Sequence, residues 1–122
     1  MIVAQTRRLT AIFKALAVEA RLRIVQLLRE RPLCVNALAA RLGMTAAGVS
    51  QHLRVLRKVG VVEGEKRGYY VHYRLNEETL AAWREELDRL LDPTVGASTD
   101  TKGTQKCAAA MTRTKAARSR KT

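Results

Sequence analysis

Long apolar runs and acidic residues are both scarce in this chain of 122 residues. No segment contains the roughly 18 consecutive apolar residues that a membrane-spanning helix needs, so we expect no membrane span. A signal-peptide pattern is also missing, because Arg7 and Arg8 interrupt the N-terminus and the segment after them is amphipathic. These absences predict a cytoplasmic protein.

Residues that carry catalytic or metal chemistry are few. The two cysteines, Cys34 and Cys107, lie far apart and do not make a disulfide framework, and free thiols fit a reducing compartment. No CxxC or HxxxH spacing predicts a zinc site, and His52 and His72 have no second ligand at suitable spacing. We find no nucleophile–base pair, phosphate-binding glycine loop or carboxylate dyad, so the sequence predicts that the protein is not an enzyme.

The shortage of acidic residues leaves a net charge of +12, from 23 Lys and Arg against 11 Asp and Glu. Residues 1–92 hold 16 basic and 10 acidic residues, and residues 93–122 hold 7 and 1, so each part carries +6. Such a surplus favours a polyanionic partner, nucleic acid above all, although solubility alone would also explain it.

Helical periodicity dominates the first half of the chain. Amphipathic helices are predicted over residues 6–17, 19–30, 35–42 and 45–60. Pro32 prevents the second helix from continuing, and Gly43 ends the third. Thr45 is the predicted N-cap of the fourth, which Gly60 closes.

Residues 61–75 change to a period of two, which predicts two strands around a tight turn near Arg67-Gly68. In the second strand the residues predicted to face inward are Tyr69, Val71, Tyr73 and Leu75, and those predicted to face outward are Tyr70, His72 and Arg74. A last helix begins at Asn76 or Glu77. The predicted fold is therefore mainly α with a β-hairpin, in the order four helices, two strands and one helix.

We divide the chain into a folded domain of residues 1–92 and a tail of residues 93–122. The tail is predicted to be disordered, because it has almost no large apolar residue to bury. The first and last helices, over residues 6–17 and 77–92, carry more apolar surface than a small domain needs to cover. This surplus predicts a homodimer joined through both helices. The alternative is that they cover only their own core.

The segment from Val35 to about Val59 has the arrangement of a helix-turn-helix, with its turn at Gly43-Met44-Thr45. In its second helix, an apolar stripe of Val49, Leu53 and Leu56 is predicted to be buried. The opposite face carries no acidic residue, and its members at helical spacing are Ala47, Ser50, Gln51, Arg54 and Lys58. A solvated polar face would more often mix acidic and basic residues, so we interpret this one as a DNA-reading surface.

Side-chain chemistry supports that interpretation. Gln51 can bond an adenine edge, Arg54 can reach a guanine or a phosphate, and the small residues before them allow close approach to a groove. The hairpin turn adds cations that can contact the backbone or the minor groove, although a solvated hairpin tip would look much the same. The candidate DNA-contacting residues are Thr45, Ala47, Ser50, Gln51, Arg54, Lys58, Lys66 and Arg67. His52, between the stripe and the polar face, is assigned a packing or hydrogen-bonding role at least as readily as a DNA contact.

Residues 10–75 resemble the ArsR/SmtB family of winged-helix bacterial repressors. The resemblance is carried by ALAVEARLRIVQLL in the second helix, LCVNALAARLG in the third, VSQHLRVLRKVGVV in the fourth and RGYYVHYRL in the hairpin. It implies a winged helix-turn-helix fold and a homodimer joined by the first and last helices. It also implies binding to double-stranded DNA at a palindromic operator and release when an effector binds.

The effector is where the sequence departs from that family. The resemblance implies a Cys-Val-Cys in arsenic sensors, but this chain has Leu33-Cys34-Val35-Asn36, with only the first cysteine. Residues 77–92 contain no His for the zinc or nickel type of site, and no cysteine pair matches the persulfide type. Three alternatives remain: Cys34 is a buried structural residue, Cys34 and Cys107 together bind trivalent arsenic or another thiophilic metal or form a redox switch, or the effector uses no thiol.

The sequence therefore predicts a sequence-specific transcriptional regulator, a repressor that an effector releases from DNA. The rival is a non-specific architectural DNA-binding protein whose basic tail, ending in residues 113–122, supplies most of the affinity. A protein-interaction module is a third possibility, because winged helices are reused in that way, but the acid-free face argues against it.

Overall fold

A computed structural model describes residues 2–94, which form five helices and three strands. In chain order the elements are α1 (Ile2–Leu16), α2 (Glu19–Glu30), β1 (Leu33–Cys34), α3 (Val35–Leu42), α4 (Ala46–Lys58), β2 (Val62–Arg67), β3 (Tyr70–Leu75) and α5 (Glu77–Leu91). The predicted disordered tail, Cys107 included, lies outside the described residues from position 95 onward. The division into residues 1–92 and 93–122 stays a prediction.

The helices end where the sequence signals predicted. α2 stops at Glu30, two residues before Pro32. Gly43 adopts a φ of 66°, the left-handed conformation that suits glycine after a helix, and so turns the chain between α3 and α4. At the start of α4 the Oγ1 of Thr45 accepts a hydrogen bond from the Gly48 amide at 3.0 Å. The helix-turn-helix is thus fixed at both sides of its turn.

The sheet has one strand more than the sequence predicted. Its order is β1-β3-β2, and both pairings are antiparallel. β1 pairs Leu33 with Tyr73 and Cys34 with His72. Two residues are too short to show a period of two, so the sequence alone gave no sign of a strand whose partner lies about 40 positions away. As a result β3 is the central strand and is held on both edges.

The prediction of which β3 residues are buried is correct only near the core. Leu75 is buried and Tyr73 is half-buried, but Val71 is 38% exposed and Tyr69 is fully exposed. In the outer half of the hairpin the described residues therefore leave the predicted inward face partly or fully exposed. His72 lies on the face opposite Tyr73 and Leu75, as predicted, but this face is not open to solvent there. His72 is half-buried beside β1, and its buried Nδ1 has no hydrogen-bond partner among the described residues.

The core lies where α2, α3 and α4 pack against the base of the sheet. Its largest fully buried side chains are Ile24, Leu38, Val49, Leu53, Leu56 and Val61. The predicted stripe of α4 is therefore confirmed, since all three of its members are among them. Burial of this kind stabilises by roughly 1.5–3 kcal/mol for each large aliphatic side chain, which anchors α4 firmly from one side.

The chain divides into two units between Glu86 and Leu87, and the second is described only through residue 94. In the first unit α1 packs on α5 through a Phe13–Trp83 ring contact with centroids 5.5 Å apart. Arg8 Nη2 also lies 3.0 Å from Glu86 Oε1. In the second unit Thr94 donates two hydrogen bonds to Asp92 Oδ1, from its hydroxyl at 2.7 Å and its amide at 2.9 Å, and these lower the pKa of that carboxyl.

Apolar side chains remain uncovered on both terminal helices. On α1, Phe13 is 42% exposed and Val3 is more so, and on α5 Leu90 and Leu91 are both exposed. α5 buries no residue fully. The alternative that these helices only cover their own core therefore leaves these side chains unexplained. Within residues 2–94 we find no helix with the length and apolar character to cross a membrane.

Candidate nucleic-acid interface

The face of α4 opposite its buried stripe is open to solvent. Ala47, Ser50, Gln51, Arg54 and Lys58 are all exposed, as their helical spacing predicted. The stripe of Val49, Leu53 and Leu56 holds the helix against the core from behind. The helix therefore presents these side chains from a rigid backbone, an arrangement that suits contact with a macromolecular surface.

The side chains at the N-terminal end of that face are short, and the helix cap holds the backbone there in place. Ala46 and Ala47 are exposed but short, and Gly48 lies against the cap residue Thr45. Because the Thr45 oxygen accepts the Gly48 amide, its hydroxyl hydrogen is left to donate elsewhere. Together these residues let the start of α4 approach a partner closely.

Positive charge concentrates at the other end of α4. Arg54, Arg57 and Lys58 form no ion pair with a carboxylate of residues 2–94. They border a groove of about 410 Å³ between α4 and β3, the α4–β3 groove, which is lined by Ser50, Arg54, Arg57, Lys58 and Tyr73. Arg57 and Tyr73 are not among the candidate residues predicted from the sequence. Arg57 stands three residues after Arg54, and this helical spacing was the signal that could have identified it.

The hairpin separates the two cations that the sequence grouped together. Paired residues in a sheet point to the same face, and successive residues alternate. Lys66 pairs with Val71 and so shares the face of Tyr73, whereas Arg67 pairs with Tyr70 on the opposite face. Arg67 Nη2 lies 3.7 Å from Glu65 Oε2, but Lys66 has no ion pair among the described residues. Lys66 is thus the cation on the face toward α4.

His52 of α4 accepts a hydrogen bond from a neighbouring helix of the same chain. Arg21 Nε of α2 donates to His52 Nδ1 at 3.2 Å, and Arg21 Nη1 donates to the carbonyl of Ala15 at 3.3 Å. The hydrogen-bonding role that the sequence allowed for His52 is confirmed. One arginine therefore ties the end of α1 and the body of α2 to the middle of α4.

Cys34 lies at the start of α3, half-buried and beside His72 on the neighbouring strand. Among residues 2–94 no three His, Cys, Asp or Glu side chains group closely enough to hold a metal ion. Cys107 is outside the described residues. The part of the chain that the structure describes therefore does not by itself supply the ligands that a thiophilic metal needs.

Comparison with known proteins matches the segment from α2 to the start of β2. The family model for the bacterial regulatory proteins of the arsR family matches residues 19–64. The transcriptional activator HlyU of Vibrio cholerae is 38% identical over 79 residues, a match that covers 65% of this chain and 73% of HlyU. This chain belongs to the ArsR family.

Other relatives extend the comparison. The transcriptional repressor SmtB of Mycobacterium tuberculosis is 44% identical to this ArsR-family chain over 70 residues, which covers 57% of the chain and 52% of SmtB, so the chain spans about half the length of that relative. A homodimeric winged helix-turn-helix DNA-binding domain from Mycobacterium bovis superimposes with a TM-score of 0.58 at 28% identity, covering 78% of this chain and 85% of that one.

These matches confirm the winged helix-turn-helix fold that the sequence predicted. The family is described as one of regulatory proteins, in agreement with the prediction that this ArsR-family chain is not an enzyme. The relatives that this chain matches include both a repressor and an activator by name. The particular DNA-contacting residues stay a prediction, to which the geometry of α4 and the hairpin now gives a spatial arrangement.

Proposed function

We propose that this protein is a sequence-specific DNA-binding transcriptional regulator that acts in the cytoplasm as a homodimer on a palindromic operator. The observation that carries the proposal is the exposed, acid-free face of α4 in an ArsR-family winged helix-turn-helix. A helix of this kind fits the major groove, where each base pair presents a distinct pattern of donors and acceptors.

In this proposal Gln51 reads an adenine edge, and Ser50 adapts to a neighbouring base or phosphate. Ala47 and Thr45 allow the helix end to lie deep in the groove, and Arg54 and Lys58 contact the duplex further along. Lys66 and Arg67 of the hairpin contact the backbone or the adjacent minor groove. Lys66 has the better position, because it shares the face of the sheet that looks toward α4.

Dimerisation through α1 and α5 brings two reading helices to one duplex. The uncovered apolar residues on both helices support it, and the M. bovis relative is homodimeric by its description. A two-fold dimer reads two half-sites whose centres lie about 34–36 Å apart, one turn of the DNA helix. The operator should therefore be a palindrome with that spacing.

We further propose that the protein is a repressor and that an effector releases it from its operator. Cys34 is the described residue with thiol chemistry, and with Cys107 it would bind trivalent arsenic, another thiophilic metal or an oxidant. If so, arsenite releases the wild-type protein from DNA but not a Cys34→Ser, Cys107→Ser double variant. Release that persists in the double variant would show that the effector uses no thiol.

The experiment that tests the DNA-binding proposal is a footprint on the DNA upstream of the protein's own gene, at about 50 and 200 mM salt. We expect one protected palindrome that persists at the higher salt, whereas non-specific affinity falls steeply over this range. A variant lacking residues 94–122 should protect the same palindrome with a shallower salt dependence. Protection without sequence preference, lost when the tail is removed, would instead identify an architectural DNA-binding protein.

A further inference from the structure

The α4–β3 groove is lined by donors and contains no acceptor charge. Arg54 and Arg57 bring guanidinium groups and Lys58 an ammonium group, while Ser50 and Tyr73 add two hydroxyls. At about 410 Å³ the groove is large enough for a phosphodiester group and several waters, each of which occupies about 30 Å³. Guanidinium and hydroxyl donors around one space are the groups that proteins use to bind phosphate.

A second groove of the same protein differs from the α4–β3 groove in that it contains carboxylates beside its arginines. It is bordered by Arg29, Arg31 and Arg74, but carboxylates line it as well. Arg29 Nη1 lies 3.0 Å from Glu77 Oε2, and Arg74 Nε lies 2.8 Å from Glu63 Oε1. In that groove the fold pairs two of the three arginines with carboxylates, and Arg31 is left without an ion pair among residues 2–94. In the α4–β3 groove three cations within four residues of each other have no carboxylate partner among residues 2–94, so a bound anion would relieve their mutual repulsion.

Tyr73 has a fixed position in the wall of the groove. It lies on the central strand, paired with Leu33 on one side and Gly64 on the other. A Cβ at Gly64 would come within 3.3 Å of Tyr73 Cε1 and 2.9 Å of Val71 Cγ1, so a side chain there would push the ring away. The absence of a side chain at Gly64 therefore lets the ring lie over the sheet beside α4.

We propose that the α4–β3 groove is a phosphate-binding site that holds one backbone phosphate of the operator in each half-site. Arg57 and Arg54 donate charge-assisted hydrogen bonds to the phosphate oxygens, and the Tyr73 hydroxyl donates a further one. This inference rests on the proposed DNA-binding function and deepens it. It assigns Arg54 to the backbone rather than to a guanine, and it leaves base reading to Gln51 and its neighbours at the start of α4.

Methylphosphonate scanning tests the proposal directly. Operator duplexes are prepared in which one phosphate at a time is replaced by an uncharged methylphosphonate, and their affinities are measured for the full-length wild type and for Arg57→Ala. At one position in each half-site the substitution should weaken the wild type roughly ten-fold, the loss of a charge-assisted contact. At that same position it should weaken Arg57→Ala clearly less than the wild type, because one charged partner of the phosphate is already missing while Arg54 and Tyr73 remain.

Two further variants separate this contact from general effects. Arg23→Ala removes an exposed arginine of α2 outside the groove and so controls for net charge. Methylphosphonate at the sensitive operator position should lower the affinity of this variant as much as it lowers that of the wild type. Tyr73→Phe removes only the hydroxyl, so methylphosphonate at the same operator position should lower the affinity of this variant somewhat less than that of the wild type. Unchanged melting temperatures of all three variants would confirm that each is folded.

The outcomes are distinguishable. If methylphosphonate substitution lowers the operator affinity of Arg57→Ala as much as that of the wild type at every position, the proposed phosphate site is contradicted, although the operator is still recognised. If inorganic phosphate or a nucleoside triphosphate raises the melting temperature of the wild type but not of Arg57→Ala, and no position is coupled, the groove takes a free phosphate ligand and the backbone assignment is wrong. If the wild type does not prefer its operator, the proposed function fails. In that case a salt dependence reduced by about one unit in Arg57→Ala would still support the phosphate site.

Discussion

At the residue scale, Arg21 connects elements that the sequence leaves far apart. Its guanidinium donates to the carbonyl of Ala15 at the end of α1 and to His52 Nδ1 in α4. The bond to Nδ1 fixes the imidazole tautomer with its hydrogen on Nε2 and so orients the ring. Arg21 is therefore a positioning residue that couples a proposed dimer helix to the proposed reading helix.

Replacing Arg21 by Met should destabilise the protein by about 1–2 kcal/mol, because two partly buried acceptors lose their donor while the aliphatic stem is kept. Urea unfolding measures the change. Arg23→Met, an exposed arginine on the same helix, serves as the control and should change stability by less than about 0.5 kcal/mol. Equal effects of the two substitutions would show that the Arg21 contacts contribute nothing.

Single residues were predictable from sequence where the neighbours along one element decide their environment. The positions of Val49, Leu53 and Leu56 follow from helical spacing, and the structure buries all three. The partner of His52 was not predictable, since Arg21 lies 31 positions away and only tertiary packing brings it close. Tyr73 is similar: its place in the period of two was visible, but its position beside Arg57 depends on how α4 crosses the sheet.

At the element scale, α4 depends on its first turn. The helix has no acidic residue in that turn, so the Thr45 oxygen is the group that accepts an otherwise unpaired amide there. Thr45 is itself a candidate DNA-contacting residue, and the next one, Ala47, follows two positions later. Any loosening of this turn would therefore disturb the part of the helix that has to fit the DNA groove.

Thr45→Ala should lower stability by about 1 kcal/mol, the usual cost of losing a side-chain cap. Thermal unfolding provides the measurement, and the expected shift in Tm is roughly 4–8 °C for a domain of this size. Thr45→Ser keeps the accepting oxygen and is the matched control, with a change near zero. A Tm that is unchanged in Thr45→Ala, or lowered as much in Thr45→Ser, would contradict the capping role.

Elements were predictable to different degrees. The helices carry their own start and stop signals, such as Pro32 and Gly43, so their bounds differ from the prediction by only a few residues. β1 carries no such signal, because a strand of two residues exists only through its pairing with β3. The outer hairpin follows the strand prediction in its backbone but not in its burial. Alternation predicts which residues share a face and not whether another element covers that face.

At the scale of the whole molecule, two features point to assembly. The described terminal helices leave apolar side chains uncovered, and the net charge of +12 favours a polyanion. A single domain of this size contacts only one half-site, so a palindrome requires a second copy. Dimerisation and DNA affinity should therefore be lost together.

Phe13→Glu places a charge on the uncovered face of α1 and should convert the dimer to a monomer at micromolar concentration, with a corresponding loss of operator affinity. Sedimentation equilibrium measures the first effect. Leu22→Glu is the matched control: Leu22 is 46% exposed, close to the 42% of Phe13, but lies on α2 outside the proposed interface. A Phe13→Glu variant that is folded and still dimeric would contradict the assignment of α1 to the interface.

If α4 reads DNA sequence, Gln51→Ala should lose sequence specificity rather than general DNA affinity. The affinities of wild type and variant are measured for the operator and for a shuffled duplex of equal length at one salt concentration. We predict that the preference for the operator falls by about 1–3 kcal/mol, while affinity for the shuffled duplex is unchanged. An equal loss on both duplexes would contradict sequence reading by α4 and favour DNA binding without sequence recognition.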